Sequence, residues 1–61
     1  MKVREVIRLL QQDGWEQVRM RGSHRQFKHV SKRGRVTVSG KLGDNVASGT
    51  MNSIFKQAGW K

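Results

Sequence analysis

Two apolar stripes at helical spacing, each followed by the dipeptide Gly-Trp, constrain the fold of this chain more than any other feature. The stripes consist of Val3, Val6, Ile7 and Leu10 near the start and of Met51, Ile54, Phe55 and Ala58 near the end. Both repeat at i, i+3, i+4 and i+7, the spacing of one face of an α-helix. Glycine favours the left-handed conformation that closes a helix, so Gly14 and Gly59 predict the two ends. The pattern predicts helices over residues 2–13 and 48–58, with Ser48 or Thr50 as the N-cap of the second.

The segment between the two helices has the alternation of β-strands. Apolar side chains at alternate positions predict strands over residues 15–21, 24–30 and 35–39. Gly22 marks a turn between the first two strands, and residues 31–34 form a polar loop before the third. Strands joined by such short turns pair antiparallel. Because both helices must bury a stripe, we expect an α+β fold of order α-β-β-β-α, a three-stranded antiparallel sheet with two helices on one face.

The length and the charge of the chain exclude several classes of protein. It has 61 residues, thirteen Lys and Arg against four Asp and Glu, a net charge of +9, and no cysteine. So short a chain forms a single domain, here residues 1–61. The lack of cysteine excludes a disulfide scaffold, and no apolar run approaches the ~18 residues of a membrane span. We therefore expect a cytoplasmic protein that does not bind membranes and has a polyanionic partner.

His24 is the candidate for proton transfer. If Phe27 points into the core, alternation places His24 on the opposite, open face of the sheet. Histidine ordinarily titrates near pH ~6.5, which suits acid–base catalysis near neutrality. The alternative is a surface histidine in a basic protein, which is the commoner case. His29 is an odd number of residues away, so we expect it on the other face, as a structural or solvated residue.

Many basic residues fall in the predicted sheet region. The candidates for binding phosphate are Arg19, Arg21, Arg25, Lys28 and Lys41, and Lys32, Arg33 and Arg35 add to the same region. Basic side chains are usually a solvated surface, but this excess is typical of a protein that binds a phosphate backbone. Cations in such a cluster also stabilise negative charge that develops on a phosphate.

The acidic residues do not predict a metal site. The four carboxylates, Glu5, Asp13, Glu16 and Asp44, are scattered along the chain. Metal-dependent nucleases use a cluster of carboxylates to hold a divalent cation. We therefore expect no metal and no other cofactor.

Taken in chain order, the segments above resemble the HicA toxins. The resemblance rests on the opening helix, Gly14-Trp15, the run Arg-Gly-Ser-His-Arg-Gln-Phe at 21–27, Val36-Thr37-Val38, and the closing segment from Gly49-Thr50 to Gln57-Ala58-Gly59. It covers essentially the whole chain. It implies a fold like that of double-stranded-RNA-binding domains, cleavage of messenger RNA that arrests growth, and a HicB-type antitoxin that blocks the active site. The family's catalytic histidine falls on His24.

One segment departs from that family. Many relatives carry a Pro-His-like pair after the third strand, where this chain has Ser39-Gly40-Lys41. Lys41 can replace the charge of that histidine but not its proton transfer. The leading hypothesis is a metal-independent messenger-RNA endoribonuclease that uses His24, and the alternative is a non-catalytic RNA-binding module of the same fold. A DNA-binding protein fits less well, because neither helix has an arginine-dense face for groove reading.

Overall fold

Two helices and three strands make up the computed structural model, which describes residues 1–60. In chain order these are α1 (Val3–Gln12), β1 (Trp15–Arg21), β2 (His24–His29), β3 (Val36–Val38) and α2 (Ser48–Ala58). The strands form one antiparallel sheet in the order β1-β2-β3. This confirms the predicted α-β-β-β-α order. Within residues 1–60 neither helix is long and apolar enough to cross a bilayer.

Both helices pack against the same face of the sheet. Phe27 of β2 pairs with Val36 of β3, so the two side chains lie on one face. That face is buried together with the apolar stripes of both helices. The core consists of Val3, Val6, Leu10, Trp15, Phe27, Val36, Val38, Ile54 and Ala58. The opposite face of the sheet, called the open face below, is covered by neither helix, as predicted.

The strand ends differ slightly from the prediction. β2 ends at His29, and Val30, which was predicted to continue it, is 94% exposed. The reason is local, since the His29 Nδ1 atom accepts a hydrogen bond from the Ser31 backbone N–H at 3.0 Å and turns the chain away from the sheet. β3 is one residue shorter at each end than predicted.

The second helix has the predicted bounds, the first is one residue shorter at each end than predicted, and the N-cap of the second differs from the prediction. Gly59 closes α2 in the left-handed conformation with φ 75°, and Gly14, with φ 98°, follows the last turn of α1. The N-cap of α2 is Ala47, which has no side-chain acceptor, so the predicted cap at Ser48 or Thr50 is wrong.

One carboxylate joins the C-terminal ends of both helices. The Asp13 Oδ2 atom accepts hydrogen bonds from Lys32 Nζ at 2.6 Å and from the indole N–H groups of Trp15 and Trp60, each at 3.0 Å. Lys32 Nζ also donates to the carbonyl oxygen of Ala58, at 3.1 Å. The two Gly-Trp dipeptides therefore converge on one anion. The Lys32 ammonium is therefore bound to Asp13 and Ala58 within the fold. Its position in the sequence had grouped it with the candidate phosphate-binding cations.

Acid should weaken the fold through Asp13. The hydrogen bond from Lys32, followed by that from Trp60, lowers the pKa of the Asp13 carboxyl from 3.8 to about 2. A group whose pKa is lowered by folding stabilises the native state above its unfolded pKa, and this stabilisation is lost as the pH falls toward 2. We expect the urea concentration at the unfolding midpoint to decrease as the pH is lowered from 5 to 2, as these pKa values predict. In Asp13→Asn this midpoint should decrease less steeply with pH. Equal slopes in the two proteins would contradict this role of Asp13.

Candidate nucleic-acid interface

A tight hairpin turn places His24 at the end of the sheet. Gly22 and Ser23 form the two-residue connection between β1 and β2, and Gly22 has φ 56°. A positive φ at the first central position is what a type II′ hairpin turn requires, and glycine adopts it without strain. His24 is therefore the first residue of β2, paired with Arg21 of β1, and its side chain is exposed.

The parity of β2 puts His24 on the open face. Phe27 is fully buried on the helix-bearing face, and successive side chains of a strand alternate. His24, Gln26 and Lys28 therefore share the open face, whereas Arg25 shares the face of Phe27. This agrees with the alternation expected from the sequence.

A β-bulge brings the arginines of β1 to the same face as His24. Trp15 pairs with His29 on the helix-bearing face, and strict alternation from there would put Arg19 and Arg21 on that face too. The register shifts between Gln17 and Arg19, which inserts one extra residue and reverses the parity of the strand. Arg19 consequently pairs with Gln26, and Arg21 pairs with His24.

The open face carries an excess of positive charge. Besides His24, its ionisable residues are one carboxylate, Glu16, and four cations, Arg19, Arg21, Lys28 and Arg35. Glu16 of β1 lies opposite Lys28 of β2 in the strand register. Among residues 1–60 the one salt bridge joins Lys32 to Asp13, so no carboxylate of the described residues forms a salt bridge with the cations of this face. Clustered cations on one face attract a phosphate backbone.

Arg35 joins this face through a contact that the sequence did not reveal. Its Nη1 atom donates to the Oε1 atom of Gln26 at 2.9 Å. Gln26 lies between His24 and Lys28 on the open face, so it holds the Arg35 guanidinium over the middle of the sheet. The sequence placed Arg35 in the basic region, but its orientation depends on the pairing of β2 with β3.

The other two predicted phosphate-binding residues lie elsewhere. Arg25 is half-buried on the helix-bearing face, and its Nη1 atom donates to the carbonyl oxygen of Gly40 at 2.8 Å. Lys41 is exposed in the segment that follows β3. Because Arg25 pairs with Val38, β3 leaves the sheet at the end where His24 begins β2. Lys41 therefore lies at the His24 end of the sheet, and Arg25 does not share the open face.

His29 has a structural role. Its Nε2 atom is 2.6 Å from the carbonyl oxygen of Asp13, and its Nδ1 atom accepts from the backbone of Ser31, so Nε2 carries the donated proton. The ring also meets Trp15 edge to face, with centroids 5.3 Å apart. A Cβ at Gly14 would lie 2.8 Å from Nε2, so this close contact requires glycine there. His29 therefore joins β2 to the end of α1, on the side away from His24.

The carboxylates of the described chain remain apart. Among residues 1–60 no three His, Asp or Glu side chains form a group that could hold a metal ion. Asp13 binds the two tryptophans, Asp44 accepts from the backbone of Lys41 at 3.0 Å, and Glu5 accepts from the backbone of Lys2 at 3.0 Å. Three of the four carboxylates thus have structural partners within the fold.

Comparison with known proteins agrees with the sequence resemblance. The model of the family described as HicA toxin of bacterial toxin-antitoxin matches residues 3–60, which is nearly the whole chain. A search of curated proteins finds no match.

Proposed function

The chain belongs to the family of HicA toxins of bacterial toxin–antitoxin systems, and from this premise we propose that it is a metal-independent endoribonuclease that cleaves messenger RNA. The observation that carries the proposal is the exposed His24 on the open face, beside the arginines of β1. An imidazole supplies acid–base catalysis, and the surrounding cations stabilise the charge that develops on a phosphate.

The proposed reaction is attack of a ribose 2′-OH on the adjacent phosphate. The 2′ oxygen bonds to phosphorus, the bond from phosphorus to the 5′ oxygen of the next nucleotide breaks, and the products end in a 2′,3′-cyclic phosphate and a 5′-OH. As general base, His24 takes the 2′-OH proton and water protonates the leaving oxygen. As general acid, His24 protonates the leaving 5′ oxygen and water takes the 2′ proton.

The cations of the open face are proposed to bind the RNA backbone. Arg19 and Arg21 lie on the neighbouring strand beside His24, while Lys28 and Arg35 extend the positive surface along the sheet. Contacts of this kind position the RNA without reading its bases. Lys41, at the His24 end of the sheet, is proposed to meet the phosphate that reacts.

A toxin of such a system is paired with an antitoxin, and we propose that this partner is a HicB-type protein in the cytoplasm. The helices cover one face of the sheet, so RNA can reach the sheet only at the open face. An antitoxin that covers the open face would block RNA binding and His24 together. The net charge of +9 favours a partner whose contacting surface is acidic.

The substrate chemistry can be tested with a matched pair of oligonucleotides. We expect the protein to cleave a defined RNA at the same rate with and without EDTA, to leave a cyclic phosphate detectable by mass spectrometry, and to leave the 2′-O-methyl version of the same sequence intact. Loss of cleavage in EDTA would contradict the metal-independent step, and cleavage of the 2′-O-methyl strand would contradict attack by the 2′ oxygen.

The non-catalytic RNA-binding module is the second candidate, and one observation favours it. The chain has Ser39-Gly40-Lys41 at the end of the sheet where His24 lies, and therefore no second histidine for proton transfer there. This candidate predicts that the RNA and its 2′-O-methyl version bind with similar affinity and that neither is cut. Cleavage of the RNA alone would exclude it.

A further inference from the structure

The segment that carries Lys41 is a closed turn. We call residues 40–44 the Lys41 loop. The Lys41 backbone N–H donates to the Asp44 carboxylate at 3.0 Å, and the Asp44 backbone N–H donates to the Lys41 carbonyl at 2.9 Å. Gly40 enters this turn with φ 102°, and a Cβ there would lie 3.4 Å from Asp44 Oδ2 and 3.5 Å from Val3 Cγ2. The loop therefore has a defined conformation although Lys41 itself is exposed.

Residues 42–44 of the Lys41 loop are hydrogen-bonded to the start of α1. The backbone N–H of Val3 donates to the Asp44 carbonyl at 2.9 Å, and that of Arg4 donates to the Leu42 carbonyl at 3.2 Å. Lys2 Nζ donates to the Gly43 carbonyl at 3.1 Å. The first N–H groups of a helix have no partner within the helix, so the loop satisfies donors that α1 cannot satisfy itself.

The Arg25 side chain links the sheet to Gly40, the first residue of the Lys41 loop. Its guanidinium donates to the Gly40 carbonyl at 2.8 Å, a short charge-assisted hydrogen bond to the residue directly before Lys41. Arg25 is half-buried on the helix-bearing face, whereas its neighbour His24 is exposed on the open face. One short segment of β2 thus carries the candidate catalytic histidine and the side chain that holds the Lys41 loop.

We propose that Arg25 is a positioning residue, which holds the Lys41 loop in place so that Lys41 stays at the end of the sheet where β2 begins with His24. This inference rests on the proposed function. It replaces direct phosphate binding by Arg25, which the sequence suggested. Arg25 acts through the Gly40 carbonyl and Lys41, and the RNA contacts of the open face do not depend on it.

The order of the loop can be tested without RNA by amide hydrogen exchange measured by NMR. In Arg25→Gln we expect faster exchange at the amides of Lys41 and Asp44, with circular dichroism unchanged. Arg19→Gln removes the same charge from the open face and should leave the exchange of these amides unchanged. If Arg25→Gln does not fold, Arg25→Lys is expected to give a smaller increase in exchange of the same two amides. Unchanged exchange in a folded Arg25 variant would overturn the proposal.

Cleavage kinetics test the link to Lys41. We expect Arg25→Gln and Lys41→Ala each to lower kcat by roughly 10- to 100-fold, since misplaced groups lose rates of this size. The double variant should be no slower than the slower single variant, and KM should change little in Arg25→Gln. Independent, multiplicative losses with a raised KM would show that Arg25 binds phosphate directly and would overturn the proposal. If the parent protein cuts no RNA, the proposed function fails, and the exchange measurement still decides whether Arg25 holds the loop.

Discussion

His24→Ala is expected to lower the rate of RNA cleavage by about 10²–10⁴-fold, the usual contribution of one acid–base group. It should also remove growth arrest when the toxin is expressed without its antitoxin. The side chain is exposed at the first position of β2 and lies outside the core, so the fold should be retained. RNA affinity should persist, because the proposed RNA contacts are made by the several cations of the open face. Cleavage of a defined RNA, RNA binding and circular dichroism measure the three properties.

Ser23→Ala is the matched control for this experiment. Ser23 is exposed in the adjacent hairpin turn, so its loss changes the same part of the surface without removing an imidazole. We expect the control to cut at close to the parent rate. His29→Ala is a poorer control, because His29 holds the Asp13 carbonyl and packs on Trp15. A His24→Ala protein that cuts as fast as Ser23→Ala would show that His24 is a surface residue.

The same variant can assign the direction of proton transfer. A substrate with sulfur in place of the bridging 5′ oxygen has a leaving group that needs no proton. If His24 is the general acid, this substrate should be cut by His24→Ala at nearly the parent rate. If His24 is the general base, the loss should be as large as with the oxygen substrate, because the 2′-OH still has to be deprotonated.

Phe27→Ala is expected to lower the free energy of unfolding by about 3–5 kcal/mol. Phe27 lies on the central strand with no exposed surface, and the stripes of both helices pack on its face of the sheet. Small domains are stabilised by only about 0.05–0.15 kcal/mol per residue, so in a chain of 61 residues this loss is comparable with the whole stability. The variant should be largely unfolded by circular dichroism at 25 °C.

Two further variants make this result interpretable. Phe27→Leu keeps most of the apolar volume, so it should remain folded with a lower urea midpoint. Val30→Ala alters a side chain that is 94% exposed and should change stability by less than about 0.5 kcal/mol. If Phe27→Ala unfolds at the same urea concentration as Val30→Ala, then Phe27 does not face the core. The assignment of His24 to the open face would then be wrong as well.

Much of the fold could be predicted because its signals are local. The stripe that begins at Val3 and the one that ends at Ala58 each span about two helical turns, and a glycine in the left-handed conformation lies at or next to the end of each helix. The face of His24 follows from its odd separation from the buried Phe27, which needs no knowledge of other strands. The ends of the strands are harder to predict from the sequence. The hydrogen bond from the Ser31 backbone N–H to the His29 ring, for example, decides where β2 ends.

The sequence by itself thus determined the two helices, the strand order and the side of the sheet on which His24 lies, because periodicity depends only on near neighbours. The alternation of β2 also places Lys28 with His24, but the tertiary structure alone decided which cations from outside β2 join them. The bulge between Gln17 and Arg19 turns two arginines to the open face, and its position depends on the register with β2. Arg25 is hydrogen-bonded to Gly40, 15 residues away in the sequence, and Lys32 is hydrogen-bonded to Asp13, 19 residues away. These contacts form only once the strands are paired, so no local pattern predicts them.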